Sequence, residues 1–164
     1  MPPSVRAARV TDADAIRELT SQLGYDVESS LVTDRLARIL SRSDQQFLVA
    51  ELEGQPVAWI HLVIADYVET GPFAMIGGLV VEVNHRRQGI GRLLMQHGED
   101  WAKTQGCPIV RLWSSSSRIA AHRFYEQLGY ANIKTQYSFV KSLDSNAAEH
   151  IRMFVPRVRE PDDR

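Results

Sequence analysis

Hydrophobic positions along this chain change period several times, and each change marks an element. Val5 to Val10 reads as a short strand. Behind Thr11, with Asp14 at the reciprocal position of a capping box, Ile16, Leu19 and Leu23 recur at helical spacing until Gly24. A second helix is predicted from Glu28 to Leu40, with Val32, Leu36, Ile39 and Leu40 on one face. Phe47 to Leu52 and Val57 to Ala65 then read as strands joined by the tight turn Glu53-Gly54-Gln55, a hairpin pattern. Phe73 to Val83 is a third consecutive strand, and its nearly unbroken apolar run predicts burial on both faces. Ile90, Leu93, Leu94, His97 and Trp101 give a helix that runs to Gly106, with His97 and Trp101 expected on its inner face. Ile109 to Trp113 is a strand. Ala121, Phe124, Tyr125 and Leu128 form the stripe of a last helix stopped by Gly129, and Tyr130 to Leu143 reads as a final strand. The order β-α-α-β-β-β-α-β-α-β joins an antiparallel first half to a βαβ crossover, which requires a parallel strand pair.

Composition narrows the class. A chain of 164 residues suits one domain, expected at 1–143, followed by a charged tail at 144–164. Hydrophobic content of 44% and charged content of 24% are those of an ordinary globular protein. The formal net charge of −1 offers no global attraction to nucleic acid or to an anionic membrane surface. No apolar run reaches the roughly 20 residues that span a bilayer, and Met-Pro-Pro-Ser does not begin a signal-peptide pattern. Cys107 stands alone, so no internal disulfide is expected and a cytoplasmic location is the default.

Against this neutral background one basic cluster stands out. Arg86-Arg87-Gln88-Gly89-Ile90-Gly91, with Arg92 behind it, lies between an apolar strand and an amphipathic helix. Two glycines expose backbone N–H groups at a helix start, where the macrodipole is positive, so the loop suits a phosphate. It is not a nucleotide-hydrolase P-loop, because Gly91 is followed by Arg92 and Leu93 rather than Lys and Ser or Thr. Nor is it a dinucleotide fingerprint, since Leu94 occupies the place of the third glycine. The bare alternative is a strand-to-helix turn shaped by Gly89 and Gly91.

The loop follows Leu79-Val80-Val81 and precedes Ala121-His122-Arg123-Phe124-Tyr125 and Leu128-Gly129-Tyr130. With those segments at that separation the chain resembles the GNAT superfamily of acyl-coenzyme A dependent N-acetyltransferases, over residues 5 to 142. The resemblance implies an α/β (α+β) fold: a mixed, mostly antiparallel central sheet flanked by helices, with a V-shaped splay between two central strands. It implies acetyl-coenzyme A as co-substrate, its pyrophosphate on Arg86, Arg87, Gln88, Gly89, Ile90, Gly91 and the N–H of Arg92. The backbone of Leu79, Val80 and Val81 would pair with the pantetheine arm, and the Val81 N–H would polarise the acetyl carbonyl. Tyr125 matches the tyrosine that protonates the departing thiolate. Val83 stands where many members carry Pro. Arg118 stands where many carry Asn, so its guanidinium would reach the cofactor with a different geometry.

The implied reaction is attack of a primary amine, on a small molecule or a peptide, on the thioester within a ternary complex. The base is open. Glu82 and His85 flank the loop, His61, Asp66 and Glu69 lie on or beyond the preceding hairpin strand, and a water chain is equally compatible. Some relatives carry a glutamate on the cofactor strand, where this chain has Met75 and Ile76. His61 alternates with Trp59 and Val63 and also reads as a hydrogen-bonded core or cleft histidine; His122 falls off the apolar stripe and reads as solvent-facing. Tyr125 also falls on the apolar stripe beside Phe124, where packing is the bland reading, and its position within the family motif favours the acid role. Cys107 reads as a small buried hydrophobe, and no residue set has metal-ligand spacing. Asp26, Glu28, Asp66 and Glu69 are either a cation-attracting entrance or scattered surface charge. The acceptor segments are expected in the first two helices and the hairpin. Relatives dimerise through exposed strands, and the Tyr137 to Leu143 edge offers that surface for a homodimer. The alternative to an enzyme is a non-catalytic acyl-coenzyme A sensing domain.

Overall fold

The structure is a computed structural model, and it describes residues 2–143. The tail expected at 144–164 lies outside the described residues. The described residues form two compact units that divide between Leu112 and Trp113.

The first unit is built on five strands in the order β1-β2-β3-β4-β5: β1 Ser4–Ala7, β2 Gln45–Leu52, β3 Gln55–Tyr67, β4 Gly71–Val81 and β5 Val110–Leu112. The first four pair antiparallel in succession, and β5 runs parallel to β4. Two-residue periodicity divides the strand side chains between two helical layers. Phe47, Val49, Trp59 and Val80 bury one face against Ile16 and Leu19 of α1 (Ala13–Ser21) and Val32 and Leu36 of α2 (Ser29–Leu40). The opposite face, with Ile60 and Leu62 fully buried, meets α3 (Ile90–Thr104).

The inner face of α3 corrects the expectation from periodicity. His97 is exposed, and the buried positions are Ile90, Leu94, Met95, Gly98 and Ala102. Gly98 explains the choice of face: a Cβ there would lie 3.1 Å from Leu62 Cδ2 and 3.4 Å from Ile60 Cδ1. The helix rests on the sheet through a residue that carries no hydrophobic signal.

The start of α1 also differs. Thr11 makes no cap; Asp12 accepts the Arg9 N–H at 2.7 Å and pairs with Arg6 at 2.8 and 3.0 Å. Arg6 also reaches Glu51 at 2.8 Å, tying β1 to β2 and to the helix entrance. The guanidinium, foremost through its hydrogen bonds, holds the Asp12 carboxyl below the usual carboxylate range against the opposing effect of burial. At α1's far end Gly24, with φ of 91°, stops the helix as expected.

In the second unit α4 spans Ile119–Gln127, followed by Gly129 at φ of 90°. The strand expected from Tyr130 to Leu143 is absent: residues 130–143 carry neither helix nor strand, and Ile133, Tyr137, Phe139 and Leu143 are exposed. Alternation reports a segment's suitability for a sheet, whereas a strand exists only through hydrogen bonds to a neighbour. No described strand pairs with this segment. The edge expected to support a homodimer therefore has no strand behind it. Among the described residues no helix is long and apolar enough to cross a membrane.

Candidate functional site

β4 is paired on both sides only along part of its length. Ala74, Met75 and Ile76 lie opposite Val110, Arg111 and Leu112 of β5. From Gly77 to Val81 the strand has β3 on one side and, among the described strands, no partner on the other. At the junction sits a bulge. Leu62 faces Ile76 and His61 faces Gly78, so Gly77 is the extra residue.

The bulge changes which backbone groups face the open side. Ala74 donates its N–H toward β5, to the Ile109 carbonyl at 3.0 Å, whereas Glu82 donates toward β3, to Val57 at 2.8 Å. Successive N–H groups alternate sides along a strand. Counting back from Glu82, the Val81 and Leu79 N–H groups point to the unpaired side. Without the extra residue they would face β3. Gly78 is required as well: a Cβ there would lie 2.7 Å from two ring carbons of Trp59, whose indole stacks near Phe47 with centroids 5.2 Å apart.

Beyond β4 the chain turns sharply into α3. Glu82 fastens the turn, accepting the Asn84 N–H at 2.8 Å, with His85 Nδ1 2.8 Å from the same carboxylate oxygen. Arg87 at φ of 61° and Gly89 at φ of 85° give the loop two left-handed residues, and Gly89 is the N-cap of α3. The first intrahelical bond runs from the Leu93 N–H to the Gly89 carbonyl, at 3.0 Å. The N–H groups of Ile90, Gly91 and Arg92 precede it and are left for a ligand or solvent. The surroundings are exposed and cationic: Arg86, Arg87, Gln88, Gly89 and Arg92 all reach the surface, and Arg86 Nε donates to the Val81 carbonyl at 3.0 Å. Such an arrangement suits an anion, and it is continuous with the open edge of β4.

Of the candidate bases, Glu82 and His85 are committed to each other and to the turn. Asp66 and Glu69 are exposed near the β3–β4 hairpin end, several residues from the bulge. His61 is half-buried, stacks on Phe47 with centroids 5.4 Å apart, and places Nε2 2.9 Å from Gln45 Oε1. Burial pushes the His61 imidazole below its ordinary pKa. Asp26 and Glu28 are exposed in the α1–α2 connection. Cys107 is buried and unpaired, and burial pushes its thiol up.

In the second unit Tyr125 is half-buried on α4 between Phe124 and Tyr130, with centroids 5.2 and 6.1 Å away. Burial raises its phenol above the ordinary tyrosine value, and the Arg118 charge works in the opposite direction. Arg118 is the N-cap of α4 and donates its N–H to the Ser115 carbonyl at 3.0 Å. His122, expected to face solvent, is half-buried, its Nε2 2.9 Å from the same Ser115 carbonyl oxygen. The serine run before α4 provides that acceptor. The sequence reading missed Gln45, which it left outside the strand, and the role of Gly77 and Gly78. Two adjacent glycines inside an apolar strand are the signal of a bulge that was available.

Residues 13–130 match the family model described as the acetyltransferase (GNAT) family. An aminoglycoside N(6')-acetyltransferase type 1 of Acinetobacter haemolyticus is 27% identical over 131 residues, which cover 77% of this chain and 90% of that protein. An uncharacterised N-acetyltransferase of Chlorobaculum tepidum is 32% identical over 133 residues, covering 81% of this chain and 78% of that one. Among solved structures, AAC(6')-Iy in complex with the bisubstrate analogue CoA-S-monomethyl-acetylneamine superposes with a TM-score of 0.78. That alignment covers 87% of this chain and 99% of the other at 18% identity, a likeness of fold.

Proposed function

Since the chain belongs to the GNAT family of acetyltransferases, we propose that it transfers acetyl from acetyl-coenzyme A to a primary amine of a small molecule, by direct attack in a ternary complex. The observation that carries this reading is the continuity of the anion cradle at residues 86–92 with the unpaired edge of β4. A ligand with a pyrophosphate at one end and an amide-bearing arm ending in a thioester fits both parts. The pyrophosphate takes the N–H groups of Ile90, Gly91 and Arg92 and the charges of Arg86, Arg87 and Arg92. Its arm lies along Val81, Val80 and Leu79 like an added strand, so the thioester, the end remote from the phosphates, arrives near the bulge. There the Leu79 N–H is the donor that polarises its carbonyl, while the Val81 N–H, two residues nearer the cradle, bonds an amide of the arm.

Tyr125 is the general acid in this reading. Its phenol, raised by burial above the ordinary tyrosine value, is protonated at neutral pH and can deliver its proton to a departing thiolate. Arg118, in contact by charge with Tyr125, contributes to cofactor binding in place of the usual asparagine. The small-molecule acceptor is favoured by the relatives whose names specify aminoglycosides, and by the neighbour solved with a coenzyme A-linked acetylneamine.

Thiol release from acetyl-coenzyme A tests the proposal with four probe amines: neamine, spermidine, free lysine and a lysine-containing peptide. Turnover is expected for neamine or spermidine. Tight acetyl-coenzyme A binding with no turnover on any probe would favour the acyl-coenzyme A sensor instead. Tyr125→Phe is expected to keep cofactor affinity while kcat falls about a hundredfold; an unchanged kcat removes the acid role.

A further inference from the structure

Resting on the acetyl-transfer reading above, we infer that His61 is the residue that takes the proton from the attacking amine, its Nδ1 presented at the β4 bulge and its Nε2 anchored by Gln45. Three independent features of the geometry meet at this side chain.

The first is the tautomer. Gln45 presents its carbonyl oxygen, an acceptor only, to His61 Nε2 at 2.9 Å. In that pairing Nε2 carries the hydrogen, and in the neutral ring the lone pair then belongs to Nδ1. No hydrogen bond among the described residues occupies Nδ1. Burial favours the neutral ring, so the lone pair is present at physiological pH.

The second is position. His61 lies opposite the bulge, and a Cβ on Gly77 would lie 3.3 Å from Nδ1. The nitrogen therefore faces a gap that exists because Gly77 has no side chain, and Gly77 itself is exposed. Only Gly78 separates the bulged residue from Leu79, whose N–H faces the open edge where the thioester arrives. His61 also shares its sheet face with Phe47, Trp59 and Val80, the face covered by α1 and α2. Those helices and the hairpin are the segments that can hold the acceptor.

The third is rigidity. Phe47 stacks on the imidazole with an interplanar angle of 27°, and the strand fixes the backbone on both sides. A base held by stacking on one side and a hydrogen bond on the other needs little reorganisation when the proton moves. The other carboxylates and histidines considered lack this combination: Glu82 and His85 are spent on the turn, and Asp66 and Glu69 are exposed near the hairpin end.

The step balances as follows. The amine lone pair forms the N–C bond, and the carbonyl electrons move to the oxygen held by the Leu79 N–H. One proton passes from nitrogen to His61 Nδ1, giving an imidazolium that still donates Nε2–H to Gln45. The carbonyl then reforms as the C–S bond breaks, and the sulfur takes a proton from the acid. His61 releases its proton to solvent and the acid regains one, leaving the amide and the free thiol of coenzyme A.

The test uses the full chain, acetyl-coenzyme A and the fastest of the four probe amines. His61→Ala is expected to lower kcat about a hundredfold, leave acetyl-coenzyme A affinity within twofold, and recover part of the rate when free imidazole is added. His61→Gln keeps an N–H to donate to Gln45 but has no basic nitrogen. It is expected to fold as the wild type does and to be equally slow. A wild-type kcat in His61→Gln overturns the assignment, and so does a loss confined to KM. Loss of acetyl-coenzyme A binding together with native near-UV circular dichroism in both variants would make His61 a cofactor-binding residue and also overturn it. A wild-type protein that turns over no probe amine overturns the acetyl-transfer reading and this assignment together; turnover by wild type and His61→Gln alike overturns this assignment alone.

Discussion

Phe73 to Ile76 and Gly77 to Val81 belong to the same strand, yet their surroundings diverge. The first half is buried, flanked by β3 and β5, and Phe73 packs edge-on to Tyr67 with Arg111 over its ring. The second half keeps β3 but loses β5, and its residues range from buried Val80 to exposed Gly77. One inserted glycine separates the two. The closed half is paired with β3 throughout and with β5 from Ala74 to Ile76, which makes it a good anchor and a poor binding surface. The open half retains directed N–H groups beside a phosphate-suited loop. Stability and chemistry are thus divided along one strand, so substitutions in the two halves should fail in different ways.

The largest effect is expected from Phe73→Ala. Its side chain is 2% exposed, and truncation should cost about 3–5 kcal/mol of unfolding free energy in urea titrations. The folded fraction should bind acetyl-coenzyme A with unchanged Kd. A raised Kd at full folding would mean that the closed half also shapes the site. Gly78→Ala comes next: its Cβ would overlap the Trp59 ring, and overpacking of this kind costs about 1–3 kcal/mol. Because Gly78 sits beside the bulge, kcat should fall more than stability alone explains; a proportionate loss would break the division. Gly89→Ala is the smallest in stability, about 1–2 kcal/mol for a side chain forced to positive φ, with open space around it. Its mark should be weaker acetyl-coenzyme A binding, read by calorimetry, and unaltered affinity would detach the loop from the cofactor.

The closed parts of the molecule were largely legible. Ile16, Leu19, Val32 and Leu36 announced their helices, and the apolar run at 73–76 announced its burial, because hydrophobic period and burial have one cause. The loop at 86–92 was legible through its glycines and its place before a helix. Where the reading failed, the deciding group was silent in a hydrophobic pattern. Gly98 selects the face of α3 by having no side chain, Gly77 shifts the register of β4, and Asp12 replaces Thr11 through an ion pair with distant Arg6. Residues 130–143 alternate convincingly, but a sequence cannot say whether a neighbouring strand is available. The His61–Gln45 pair joins residues 16 positions apart, and that pairing exists only once the β2–β3 register is set.

Trp59 gives the bulge one more property. The chain contains three tryptophans, and this one is 7% exposed, with two of its ring carbons filling the place a side chain on Gly78 would take. An indole in that position emits from an apolar setting a single residue away from the bulged glycine. With Trp101 and Trp113 replaced by phenylalanine, the protein carries its own fluorophore at the point where the strand opens, and occupancy of that edge can be followed by light, without a label and before any bond is made or broken.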